Sequence, residues 1–316
     1  MASSTFVERT DEYAHSITSG LSVTDLLLLC MALIWGLNFI VVKFATGVFA
    51  PLAFNSTRVL LAVIVLWVIF LARQLPLPSR REILIMLALG ALGNGLYQIL
   101  WVEGMARTRA SDAALLVAAS PAFIEIVGWL RGHDRAGLRG MSGIALSLVG
   151  IGLVVTGAAH AAAGKSTFAG NAFILGSVLC WSVYSVYLRP LTQRVDGLTL
   201  SAVTMTGGVI PLLIAGAPSL ASTDWSAVPR AGWAAIAYSG LLALVIAYLF
   251  WYRGVRVLGP TRASMYSNLQ PLVAMLAAWP LLGETPRALQ LMGALCIIGG
   301  LLLTRIMSPQ RNLART

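Results

Sequence analysis

Apolar residues fill this chain in ten long runs, at roughly 24–44, 51–72, 82–105, 111–131, 138–157, 169–189, 198–216, 231–252, 261–282 and 287–306. Each is long enough to cross a hydrocarbon layer ~30 Å thick as a helix. Lipid offers no partner to open backbone groups, so the runs must be helical. Polar and turn-forming residues are confined to the short gaps, such as Arg73–Arg81 with its two prolines, 132–140, 164–170 and 283–286. The pattern predicts an all-α integral membrane protein with ten transmembrane helices. Residues 1–22 are polar, carry Glu8, Asp11 and Glu12, and lack the basic start and cleavage pattern of a signal peptide. They read as a flexible cytoplasmic tail, and residues 308–316 as a second one.

Composition agrees with this. The chain is 58% hydrophobic and 11% charged, against roughly 25% charged in soluble domains. A net charge of +10 would suggest nucleic acid in a soluble protein, but in a membrane chain the side on which each cation falls matters more. With the N-terminus cytoplasmic, fifteen Lys and Arg residues lie on the cytoplasmic side and six on the other (Lys43, Arg107, Arg109, Lys165, Arg230, Arg287). Both termini are therefore expected inside, with no nucleic-acid partner. Cys30, Cys180 and Cys296 all lie in apolar runs without metal-ligand or disulfide spacing, so they read as small buried residues.

The chain also repeats itself. Trp35–Lys43 reads WGLNFIVVK and Trp181–Arg189 reads WSVYSVYLR. Further on the offset settles at 150, pairing Trp101 with Trp251, Gly104 with Gly254, Asp134 with Glu284, Gly143 with Gly293 and Gly150 with Gly300. The unit is five helices, 23–160 and then 168–307, forming one inseparable body. Five is odd, so the second copy enters the membrane upside down. Inverted repeats of this kind place a substrate site near the midplane, between the halves.

Candidate site residues follow from position and face. Asn94, Tyr97, Gln98 and Trp101 are spaced i, i+3, i+4 and i+7, one face of the third helix. Amides facing lipid are costly, so this face points inward. Trp35 and Asn38 share a face of the first helix, and Trp181, Tyr184 and Ser185 a face of the sixth, both near mid-bilayer. Tyr248, Trp251 and Tyr252 share one on the eighth, nearer the cytoplasmic end. Pro121 and Pro271 are repeat mates that should kink the fourth and ninth helices, with Ser120, Asn268 and Gln270 beside them. Trp67 and Trp129 read as interfacial belt residues. Among embedded charges, Glu125 is the candidate for proton coupling, while Arg58, Glu103 and Arg253 sit near helix ends and read as snorkelling side chains. No catalytic group, metal site or cofactor is indicated. Gly157–Thr167 mimics a phosphate loop, but Ala159 stands where the motif needs glycine, and a membrane helix precedes it rather than a strand. His15, His133 and His160 are scattered.

With WGLNFIVVK, the 5 + 5 repeat, the acids Asp134 and Glu284 after the fourth and ninth helices, and the glycine-spaced fifth and tenth helices, the sequence resembles the drug/metabolite transporter superfamily. It is most similar to the ten-helix EamA-type branch and, by its Trp- and Tyr-rich interior, to the aromatic amino-acid exporters. The resemblance implies an inner-membrane carrier that exports amino acids or related small metabolites through a central cavity by alternating access, and the two halves of the repeat already supply the paired units, so that a monomer in lipid would suffice. Four-helix multidrug relatives carry a proton-coupling glutamate eight residues before the first-helix lysine; here Trp35 and, in the repeat, Trp181 occupy that place. The rival classes are a polytopic enzyme acting on lipid, which would need a polar catalytic cluster, a channel, and a multidrug or cation exporter of the same fold.

Overall fold

The computed structural model describes residues 22–131, 138–159, 167–267 and 269–306, and everything secondary among them is helical. The chain runs α1 (Val23–Ala45), α2 (Pro51–Ala72), α3 (Arg80–Arg107), α4 (Ala110–Leu130), α5 (Leu138–Ala159), α6 (Phe168–Thr192) and α7 (Gly197–Ser222). It continues with α8 (Arg230–Ala237, then Tyr238–Ile246 and Ala247–Ser267), α9 (Gln270–Leu282) and α10 (Ala288–Ile306). Seven helical stretches of the described residues are long and apolar enough to span a membrane; the shorter apolar pieces are Met141–Thr156, Gln270–Leu282 and Ala288–Gly300. The terminal tails, the loop residues His133, Asp134 and His160, and Asn268 lie outside the described residues.

Local chemistry sets the helix ends. Ser22 accepts from Asp25 N at 3.2 Å while its own N–H donates to Asp25 Oδ2 at 2.9 Å, a reciprocal cap for α1. Ser79 and Glu82 do the same for α3. Thr167 and Asp196 cap α6 and α7. Gly283, at φ 66°, closes α9 in the left-handed conformation that glycine adopts without strain.

Three features depart from the sequence expectation. First, α3 and α8 each widen into a π segment, Ala91–Leu96 and Tyr238–Ile246. Second, the mid-helix kinks expected at Pro121 and Pro271 are breaks. α4 is interrupted between Ala118 and Ser120, and α9 starts at Gln270. Each proline therefore falls in a first turn, where its missing N–H has no intrahelical partner to lose. Third, no break separates the eighth and ninth runs, because α8 continues to Ser267. Pro260 removes one ladder bond there but does not end the helix.

The largest interfaces join the two halves of the chain. α1 packs on α8 and α9, α2 on α7 and α8, α3 on α6 and α7, α4 on α6 and α9, and α5 on α10. Exchanging each helix with the one five places on maps this set of pairs onto itself. The α5–α10 seam shows the same exchange at atomic scale. A Cβ on Gly150 would lie 2.7 Å from the Gly293 carbonyl oxygen, and one on Gly293 would lie 2.8 Å from that of Gly150. Small residues let membrane helices approach this closely. Gly150→Leu is accordingly expected to destabilise the bundle by about 1–3 kcal/mol through overpacking, seen as a lower melting temperature in detergent. Gly152→Leu, at an exposed position with open space around it, is the control expected to melt like the parent.

Candidate substrate site

The aromatic residues of α1, α3, α6 and α8 meet. Trp35 packs edge-on against Tyr248 with centroids 5.5 Å apart and tilts against Trp251 at 6.1 Å. Trp181 lies 6.4 Å from Tyr248, 5.5 Å from Tyr97 and 5.3 Å from Tyr184. Tyr248 continues to Tyr252 at 6.2 Å. The result is one connected aromatic wall, drawn from both halves of the chain. The π segment of α8 helps to build it, since its Ala243 carbonyl accepts the Trp35 indole N–H at 2.8 Å. Widened turns of this type recur at functional sites. Tyr252 also borders a cavity of about 430 Å³ at the α6–α7 turn, shared with Arg194, Asp196 and Arg256, so the wall extends to an opening at that end of the bundle.

Beside the wall lies a polar knot around Arg58, which is 1% exposed. Its Nε donates to Asn55 Oδ1 at 2.6 Å, Nη1 to Ser239 Oγ at 2.6 Å and Nη2 to Gln98 Oε1 at 2.7 Å. The Asn55 amide donates to the Gln98 carbonyl at 2.8 Å, and Ser239 Oγ donates to Asn38 Oδ1 at 2.7 Å. The guanidinium carbon sits 5.0 Å from the Trp101 ring centroid and 5.6 Å from that of Phe54, within cation–π range. Trp101 in turn packs on Phe39 at 5.9 Å. Gln98 follows Tyr97 in sequence, and Asn38 is one turn from Trp35, so knot and wall are continuous.

The snorkelling assignment of Arg58 is therefore corrected. A snorkelling head must reach water, whereas this one is sealed between α2, α3 and α8. Asn55 and Ser239 were missed altogether. The signal available was the i, i+3 spacing of Asn55 and Arg58 in the polar stretch Asn55–Arg58 of a largely apolar helix, which puts both on one face. Trp67 also departs from the belt reading: its indole donates to Thr206 Oγ1 at 2.8 Å, and the ring is partly buried between α2 and α7. Trp129 is exposed.

Most of the sequence candidates converge here. Trp35, Asn38, Tyr97, Gln98, Trp101, Trp181, Tyr184, Tyr248 and Trp251 belong to the wall or the knot. Asn94 is buried in the π segment of α3. Ser185 donates back to the Trp181 carbonyl at 2.7 Å and so serves its own helix. Glu125 stands exposed on α4, and among the described residues no hydrogen bond or ion pair joins it to the cluster. Pro121 and Pro271 mark the helix breaks described above. Gln270 is partly buried in the first turn of α9, and Ser120 bonds back to the Val117 carbonyl. Among the described residues no group of three or more His, Cys, Asp or Glu comes together to hold a metal ion.

At the end of the bundle that carries Lys43, the halves are clasped by Glu284. Its carboxylate accepts from the backbone N–H of Ala110 and Ser111 at 2.9 and 3.0 Å and from Ser111 Oγ at 2.6 Å, with Arg109 Nε 3.8 Å away. Gln290 adds a bond to Ser111 Oγ at 3.0 Å. Lys43 Nζ donates to the Met105 and Ala106 carbonyls, capping the C-terminus of α3.

Comparison with known proteins places this chain among transporters. The EamA-like transporter family matches twice, over residues 22–156 and again over 168–306. The uncharacterized transporter YyaM of Bacillus subtilis is 25% identical over 88% of this chain and 92% of its own length. The uncharacterized inner membrane transporter YedA of Escherichia coli is 29% identical, covering 82% of each. A probable terminal-alkyne amino-acid exporter of Streptantibioticus cattleyicolor is 28% identical over 76% of this chain and 79% of its own. A crystal structure of 19% sequence identity shares the fold, with a TM-score of 0.62 over 92% of this chain and all of the other.

Proposed function

Because the chain belongs to the EamA-like transporter family, we propose that it is a multi-pass inner-membrane secondary transporter that exports amino acids, aromatic or otherwise apolar, and related small metabolites. In this reading ten helices form two inverted five-helix repeats with both termini cytoplasmic, and rocking of one half against the other alternates access to a central cavity. One observation carries the reading: the aromatic wall and the Arg58 knot are assembled from both halves of the chain, as expected of a carrier that holds its cargo between two repeats. The two family matches and the self-mapping helix contacts support the repeat. Opening at the Lys43 end would have to part Glu284 from Ala110 and Ser111, the clasp between the halves. Stacked rings supply the surface that an apolar side chain prefers, and Gln98, Asn38 and Ser239 supply hydrogen bonds that fix orientation. The exposed position of Glu125 gives a proton-coupling role no support. A multidrug or cation exporter is the second reading. A sealed arginine without a carboxylate partner among the described residues counts against it, since like charge would be repelled.

The test is counterflow in proteoliposomes. Vesicles loaded with unlabelled phenylalanine or tryptophan should accumulate the labelled amino acid from outside. Accumulation should be saturable and should persist without a pH gradient. Failure with every aromatic amino acid offered would remove that cargo class.

A further inference from the structure

We propose that Arg58 is the anchor for a carboxylate on the transported molecule. The inference rests on the transport reading above and names the chemical group that the site requires. Arginine stays charged under all physiological conditions. At 1% exposure its charge is taken out of water, a state that ordinarily demands a paired anion. Among the described residues no carboxylate lies within ion-pair distance of it: the ion pairs present are Arg107–Glu103, Arg109–Glu284 and Arg256–Asp196. The phenols of the adjoining wall, Tyr97 and Tyr248, carry no charge at neutral pH. All three hydrogen-bond acceptors, Asn55, Gln98 and Ser239, are neutral as well.

The donors are also arranged for a second occupant. A guanidinium has five N–H groups, and the three bonds use one each on Nε, Nη1 and Nη2. One N–H on each terminal nitrogen is left over, and a carboxylate is the acceptor that satisfies donors on a guanidinium most strongly. Two of the three bonds come from the first half of the chain, from Asn55 and Gln98, and hold the side chain in place. The third, to Ser239, is the only one that crosses to the second half, so parting the halves frees Nη1 further. Next to the guanidinium, Trp101 supplies an independent observation. Its Nε1 is buried without a hydrogen-bond partner, in a residue 5% exposed whose ring stacks 5.0 Å from the cation. A guanidinium beside an unpartnered donor calls for an acceptor-rich anion. The aromatic wall adjoining it fits an apolar body on the same molecule.

The experiment uses full-length protein in proteoliposomes and in detergent. Four related compounds compete in phenylalanine counterflow and in a thermal-shift binding assay. Phenylalanine and 3-phenylpropionate keep the carboxylate; phenylalaninamide and phenethylamine lack it. The wild-type protein should bind the first two about tenfold or more tightly than the carboxylate-free pair, the usual loss for a charge-assisted hydrogen bond. In Arg58→Gln that preference should collapse while binding of phenylalaninamide hardly moves, and Arg58→Lys should retain part of it. Trp101→Phe keeps the stack but removes the N–H, and should weaken the carboxylates selectively. A purely structural Arg58 would instead lower binding of all four compounds alike, which overturns the proposal. If Arg58→Gln does not fold, the wild-type ranking and Trp101→Phe decide. Equal wild-type handling of phenylalanine, its amide and phenethylamine overturns the carboxylate anchor and leaves the carrier reading standing. No response to any of the four overturns the amino-acid reading itself.

Discussion

Glu284→Ala is expected to cost the folded protein about 3–5 kcal/mol, the penalty for breaking a buried ion pair by removing one partner. Glu284 is 6% exposed and Arg109 5%. The reason goes beyond the pair. The helix that opens at Ala110 has no side-chain cap of its own. Its first N–H groups are satisfied from the loop after α9 by the Glu284 carboxylate, where negative charge also complements the helix dipole. Removal leaves two backbone donors and a guanidinium without an acid, all in a sealed site. Glu284→Gln should cost less, since the amide oxygen still accepts a bond while the charge is gone. Thermal melts in detergent would show the order wild type, Glu284→Gln, Glu284→Ala. An Ala variant that melts with the wild type would mean that water reaches this clasp and replaces the carboxylate.

Gln98→Ala and Trp101→Ala should each lower the transport rate per folded molecule about tenfold or more. The first leaves Arg58 Nη2 without its acceptor, and an unmade bond to a buried charge costs more than a neutral one. The guanidinium then swings from its place beside the wall. The second removes the ring beneath the cation and opens a cavity costing about 3–5 kcal/mol, so folded yield falls too and the rate must be normalised to it. Gln98→Glu is the diagnostic companion. It supplies Arg58 with an internal carboxylate at the same position, satisfies the charge and should also abolish transport while raising the melting temperature. Full transport by Gln98→Ala would take this face of α3 out of the site.

Much of the site was legible in the sequence because helical periodicity projects one-dimensional spacing onto a face. Tyr97, Gln98 and Trp101 were found that way, as were Trp35 with Asn38 and Trp181 with Tyr184. The knot was not. Ser239 is an ordinary small polar residue in an apolar run, and nothing near it in sequence marks a bond to a residue 181 positions away. Arg58 was visible but misjudged, since depth along one helix does not say what closes over it. The clasp shows the same limit: Glu284 looked like a loop acid after the ninth helix, and its partners Ala110 and Ser111 belong to the other half.

The amino-acid order alone determined which stretches are apolar enough to leave water, that they are helical, and that a pattern of positions in the first half recurs in the second. Those are consequences of local composition and of repetition, which any one segment carries within itself. Only the tertiary structure decided which helices lie face to face, where α3 and α8 widen into π turns, and which of the few buried charges has an anion. Among the described residues Arg109 finds Glu284 and Arg58 finds no carboxylate, although both are arginines that the sequence sets beside or within apolar runs. That difference arises from packing between the halves, since a hydrogen bond or ion pair depends on distances of a few ångströms that sequence separation does not encode.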